Sequence, residues 1–149
     1  MALVKNDWQI KKQIEEFKAR AKELLPPMLK NEIINESILK GISPVKGAGR
    51  FKKYSESYLE QISKIANKRA SPVNLKRSGD LIKSFTIKKI EQGLEISFKD
   101  EKAEYHDNGT NRIPQRKMLP TRTGESFSVI IQRSINRILN KILNEVRRN

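Results

Sequence analysis

No cysteine occurs among the 149 residues, which excludes disulfides and every zinc or iron–sulfur site built on thiolates. That composition suits a reducing cytoplasm. Histidine occurs once, as His106, so no two-histidine metal site can form within one chain, and no metal or other cofactor is expected. Aromatic residues make up 6% of the chain and are not spaced like a base-stacking platform. No apolar run approaches the roughly 20 residues of a membrane span, and Met1–Lys12 lacks the apolar centre of a signal peptide. The expectation is a soluble, unprocessed chain with no membrane partner.

What the chain has in excess is positive charge. Its 31 Lys and Arg against 17 Asp and Glu give a formal net charge of +14, which favours polyanionic partners or acidic protein surfaces. The length fits one domain, divided into N-terminal helices over 1–40, a flexible loop over 41–54, and a helix, sheet and C-terminal helix over 55–149.

Only one stretch carries clear strand patterning. Leu94, Ile96 and Phe98 alternate with Glu95 and Ser97, the period-2 mark of a strand with one buried face. With Phe85–Ile90 it forms a hairpin joined at Gln92-Gly93, where glycine tolerates the positive φ of a tight turn. Ala103–His106 adds a third short strand. Helices flank this region. Ile10, Ile14, Phe17, Ala21 and Leu24 share one face of a core-packing helix capped by Asn6 or Asp7, which Pro26-Pro27 stops or kinks. Pro27 can open a second helix that ends at Gly41. A third runs from Ser55 to Arg69, with Tyr58, Ile62 and Ile65 on one face. The last, capped by Thr123 with Glu125 in its first turn, places Ile131, Ile135, Ile138, Ile142 and Val146 in one stripe and lies across the sheet. The fold class is therefore α+β: a small antiparallel sheet packed by N-terminal helices and a long C-terminal helix.

Chemistry is sparsely signalled. Gly41–Arg50 is rich in glycine and cations but lacks the Lys-Ser/Thr pair of a phosphate-binding loop, so it reads as a connector. A ribonuclease-like toxin would use His106 as general acid or base, with Arg112, Arg116 or Lys117 neutralising phosphate charge. His106 beside a turn is more simply a hydrogen-bonding residue. The acidic residues Asp100, Glu101, Glu104 and Asp107 carry no two-metal pattern. The chain does not read as an enzyme, and no catalytic or metal residue is assigned. Without a zinc finger or helix-turn-helix, any DNA contact would be to phosphates, non-specific and salt-sensitive.

Four segments carry a family resemblance. SPVNLKRSGDLIKSF resembles the a-P-V-x-t-G-x-L-x-x-S pattern of small bacteriophage virion-morphogenesis proteins of the tail-completion or neck (head–tail joining) group. AEYHDNGT and PQRKMLPT are similar to that group's later Y-A-x-x-H/Q-x-G-T and P-x-R-x-F-L-P segments, with Met118 where an aromatic is usual. GISPVKGAGRFKKYSESY resembles an upstream segment of phage relatives. The resemblance runs from about Ile38 to the C-terminus. It implies a structural protein, located in the virion after assembly in the host cytoplasm, that forms a ring of six or twelve copies. Adaptor and tail-terminator positions both stay open. Its neighbours would be connector or portal-side proteins and tail proteins, around the DNA path. By the same resemblance Gly79, Gly109, Pro114 and Pro120 shape turns. Arg112, Arg116, Lys117 and Arg122, together with Lys46 and Arg50, are the candidate contacts to a neighbouring subunit or to packaged DNA. The competing expectation is a non-specific basic DNA-binding protein.

Overall fold

A computed structural model of the chain describes residues 7–53, 55–56, 60–61, 64, 79–111 and 113–148. The third expected helix, with Tyr58, Ile62 and Ile65, lies almost wholly outside the described residues, as do Arg112 and the SPVNLKRS segment.

The longest element, α1 (Asp7–Lys30), is 24 residues and continues through Pro26 and Pro27. The expected stop at the prolines does not occur. Each interior proline removes a hydrogen bond and crowds the preceding turn, at roughly 3 kcal/mol. Burial of Leu29, Ile33, Ile34 and Ile38, at about 1.5–3 kcal/mol each, matches or exceeds that cost. The helix then widens into a π-helical turn (Asn31–Asn35), where the Glu36 N–H donates to the Asn31 carbonyl at 2.9 Å. Ser37 Oγ donates to the Glu32 carbonyl at 2.8 Å, which satisfies an acceptor that the irregular turn leaves over. A single 3₁₀ turn (Ile38–Lys40) ends at Gly41 with φ +78°, so the expected glycine stop is where the sequence places it.

Gly79, at φ +84°, opens a short turn of helix, α2 (Asp80–Lys83), which feeds β1 (Phe85–Ile90). β2 (Gly93–Phe98) pairs with it antiparallel from Phe85↔Phe98 to Ile90↔Gly93. The connection is thus Glu91-Gln92, one residue earlier than expected, and Gly93 is the first residue of the returning strand. The register puts Phe85, Ile87, Leu94, Ile96 and Phe98 on one face, with the Phe85 and Phe98 rings 5.2 Å apart and tilted. Two strands alone are marginal in water, and this face joins the main core with Leu29, Ile33, Leu81, Met118 and Ile131.

No third strand follows among the described residues. Ala103–His106 lies in α3 (Lys102–Asn108). Asp100 accepts from the Lys102 N–H at 2.9 Å just ahead of it, and Lys, Ala and Glu favour a helix over a strand. The final helix, α4 (Val129–Arg148), begins five residues beyond Gly124. Thr123 therefore does not cap it. Ser128 takes that place, with its Oγ 3.5 Å from the Ile131 N–H, while Glu125 belongs to the loop ahead. α4 packs along α1 rather than across the sheet. Arg20 pairs with Glu145 near one end and Ser134 Oγ donates to Glu32 Oε1 at 3.3 Å near the other, so the two helices are antiparallel. Ile131, Ile142 and Val146 are buried.

Because Arg20 already meets the end of α4, the first turns of α1 project past it. Ile10, Ile14 and Leu24 are exposed and Phe17 and Ala21 half-buried, so the stripe expected to pack the core does so only in part.

Candidate functional site

The segments 41–53 and 103–128 close on each other and hold the described candidate residues other than Gly79. Composition made 41–54 a flexible loop. Its residues 41–53 have no helix or extended strand, yet Ser43, Pro44 and Val45 are buried and the segment is bonded on two sides. Within it, Phe51 N–H donates to the Gly41 carbonyl at 2.8 Å and Ser43 N–H to the Gly49 carbonyl at 2.8 Å. Outward, Lys46 N–H donates to the Ser126 carbonyl at 2.9 Å, and Ser128 N–H to the Pro44 carbonyl at 2.8 Å. Ser43 Oγ accepts from the Val45 N–H at 3.1 Å and donates to the Lys117 carbonyl at 2.6 Å.

Arg116 sits at the centre, and it is buried. Its Nε donates to the Lys52 carbonyl at 2.9 Å and its Nη2 to the Lys53 carbonyl at 3.1 Å. Its backbone N–H donates to the His106 carbonyl at 2.7 Å, and Nη1 lies 3.4 Å from His106 Nδ1. Arginine only donates, so Nδ1 is the acceptor and the imidazole is neutral, protonated at Nε2. Burial first, and the Arg116 charge second, lower the His106 pKa from 6.5 to about 4. Expected as an outward contact, Arg116 is instead spent within the chain.

α3 ends over the same loop. Asp107 Oδ1 accepts from the Met118 N–H at 2.8 Å and the Leu119 N–H at 3.4 Å. Gly109 has φ +76° and ψ 157°, a conformation that is essentially glycine's alone. A Cβ there would meet Gln115 N at 3.1 Å and Gln115 Cα at 3.2 Å. The turn expected at Gly109 is thus required by backbone and by space together. Pro114 and Pro120 are half-buried on either side of Met118 and Leu119, which fill the core.

The remaining cations differ among themselves. Lys117 Nζ lies 2.7 Å from Glu125 Oε2, whose other oxygen accepts from the Arg122 N–H at 2.9 Å. The Lys117 contact first and the Arg122 N–H second hold the Glu125 carboxyl below the usual carboxylate range. Arg122 Nη2 donates to Asn108 Oδ1 at 2.7 Å. Lys46 and Arg50 are exposed. Among the described residues no group of three metal-ligating side chains lies together, and no helix is long and apolar enough to cross a membrane.

The arrangement is a lock of three segments: His106 and Asp107 hold the 115–119 chain from one side, Ser43 and the Lys52 and Lys53 carbonyls from the other. What sequence reasoning missed was Ser43, which lies in the GISPVKGAGRFKKYSESY segment, and Asp107, whose carboxylate beside a turn signalled capping of a backbone N–H. Comparison with models of protein families, with curated proteins and with solved structures finds no match.

Proposed function

We propose that the chain is a structural bacteriophage protein of the neck or tail-completion type, which assembles as a ring joining the DNA-filled head to the tail around the DNA path. The observation that carries this reading is the ordered series GISPVKGAGRFKKYSESY, SPVNLKRSGDLIKSF, AEYHDNGT and PQRKMLPT, followed by an amphipathic helix. Its support from geometry is that residues of the first, third and fourth segments meet. Ser43 bonds Lys117, His106 bonds Arg116, and Asp107 bonds Met118. Residues from three of the four segments thus act together in folding.

On this reading the protein has no catalytic step. His106, neutral at pH 7 with Nδ1 turned to a guanidinium, holds a loop. Purified protein that cleaves RNA, and loses that activity as His106→Ala, would replace the proposal with the toxin reading. A non-specific DNA-binding protein is the other alternative, favoured by the charge of +14; it would bind duplex with steep salt dependence and form no ring. Mass spectrometry of purified phage particles tests the proposal. The chain is expected among the virion proteins in a small fixed copy number, and its absence would overturn the reading.

A further inference from the structure

The charges on α4 are sorted in a way that those of α1 are not. Of the residues of α4 exposed to solvent, none is acidic. Arg133, Arg137 and Lys141 are exposed and follow one another at four-residue spacing, which puts them on one face about 6 Å apart along the axis. Arg148 continues the line seven residues on, and Arg147 flanks it. Exposed Asn136, Asn140 and Asn144 run alongside, adding amide donors that suit phosphate oxygens. The one carboxylate of the helix, Glu145, is taken by Arg20 of α1. None of the five cations forms an ion pair with a described residue.

α1 shows what a merely solvated face looks like in this protein. Its exposed Lys11, Lys12 and Lys18 are interspersed with exposed Glu15 and Glu23, and Lys18 lies 3.7 Å from Glu15. Like charges at four-residue spacing destabilise a helix, so solubility alone is better served by the pattern of α1. The stripe on α4 opposes helix stability and is suited to an anionic surface.

We propose that the outer face of α4 binds the phosphate backbone of duplex DNA without reading its sequence. The line from Arg133 to Arg148 covers about 22 Å of helix, enough to follow several phosphates of a duplex that carries one charge per roughly 1.7 Å. This rests on the reading that the chain lies beside the DNA path, and it moves the DNA contact away from Arg116, Lys117 and Arg122 of the loop before α4. There Arg116 is buried in hydrogen bonds to the Lys52 and Lys53 carbonyls, and Lys117 and Arg122 are engaged by Glu125 and Asn108.

The test uses the full chain and a fluorescently labelled duplex of mixed sequence, with affinity measured across a series of KCl concentrations. The variant Arg133→Gln/Arg137→Gln/Lys141→Gln is expected to reduce the slope of log K against log salt by about 2–3 and to weaken binding about 10–100-fold at low salt. Lys11→Gln/Lys12→Gln/Lys18→Gln removes the same charge from α1 and is expected to change the slope by less than about one. Thermal melting confirms that both variants fold. Equal losses from the two variants would overturn the proposal in favour of diffuse attraction by net charge. Binding to poly-glutamate but not to duplex would overturn it in favour of an acidic protein partner. Neither result bears on whether the chain is present in particles, so the neck reading stands or falls separately.

Discussion

Arg116 engages His106 twice: the backbone N–H of Arg116 reaches the His106 carbonyl at 2.7 Å, and its guanidinium Nη1 lies 3.4 Å from the ring Nδ1. Since the same guanidinium also binds the carbonyls of Lys52 and Lys53, one side chain ties α3, the 115–119 chain and the 41–53 segment together. Replacing it leaves two carbonyls and an imidazole nitrogen without their donors. Arg116→Ala is expected to lower unfolding free energy by about 2–4 kcal/mol. Arg116→Lys should recover little of it, because an ammonium cannot span the same fork. Urea denaturation measures both. A wild-type midpoint for Arg116→Ala would mean that the guanidinium is not needed to hold these segments.

The pH dependence follows from His106. Its pKa is lowered to about 4 in the folded chain from the ordinary 6.5, so between those limits the unfolded chain binds a proton that the folded chain does not. Stability is then complete above about pH 6.5 and falls as the pH drops towards 4. His106→Asn, whose Oδ1 can still accept from Arg116, should flatten the decline in that window. Below the ordinary carboxylate range a further loss is expected as Glu125 protonates, because its folded pKa is depressed. Thermal melts of both proteins from pH 8 to pH 4 check the His106 window, and melts carried on below pH 4 check that of Glu125. An unchanged slope in the variant would remove His106 as the cause.

Gly109→Ala should destabilise the chain by about 1–3 kcal/mol. The cost has two sources, the backbone at φ +76° and ψ 157° and the approach of Gln115 N to 3.1 Å. Gly124→Ala is a useful comparison, because φ is +83° there but nothing lies within 4 Å of the added Cβ. The expected order of midpoints is wild type, then Gly124→Ala, then Gly109→Ala.

Ile130 and Ile131 are neighbours with opposite surroundings. Ile131 is fully buried and Ile130 is 68% exposed. Ile131→Ala should cost about 2–5 kcal/mol through lost burial and the cavity left behind. Ile130→Ala should change stability by no more than about 0.5 kcal/mol. Comparable losses at the two positions would contradict the placement of α4.

How much of this was legible in the sequence depended on whether a local rule or a distant contact decided the outcome. The hairpin was readable because alternation at Leu94, Ile96 and Phe98 is a property of the strand itself, and Gly41 because a helix stop is local. The spacing of Ile131, Ile142 and Val146 likewise revealed the final helix. Pro26-Pro27 misled, since burial of Leu29, Ile33, Ile34 and Ile38 offsets the local penalty. Ala103–His106 misled because four residues can suit either period, and the deciding signal was the capping carboxylate of Asp100. Arg116 was the least readable of the candidate residues. A sequence records that an arginine is charged, and not that carbonyls some sixty residues away will accept its protons.

The most direct test of the central claim takes the neck reading at its word: electron microscopy of the particles made by a phage in which this gene is disrupted. Under the neck reading, DNA-filled heads and separate tails accumulate, and supplying the wild-type chain restores joined particles. Normal, fully joined particles in the absence of the protein would contradict that reading.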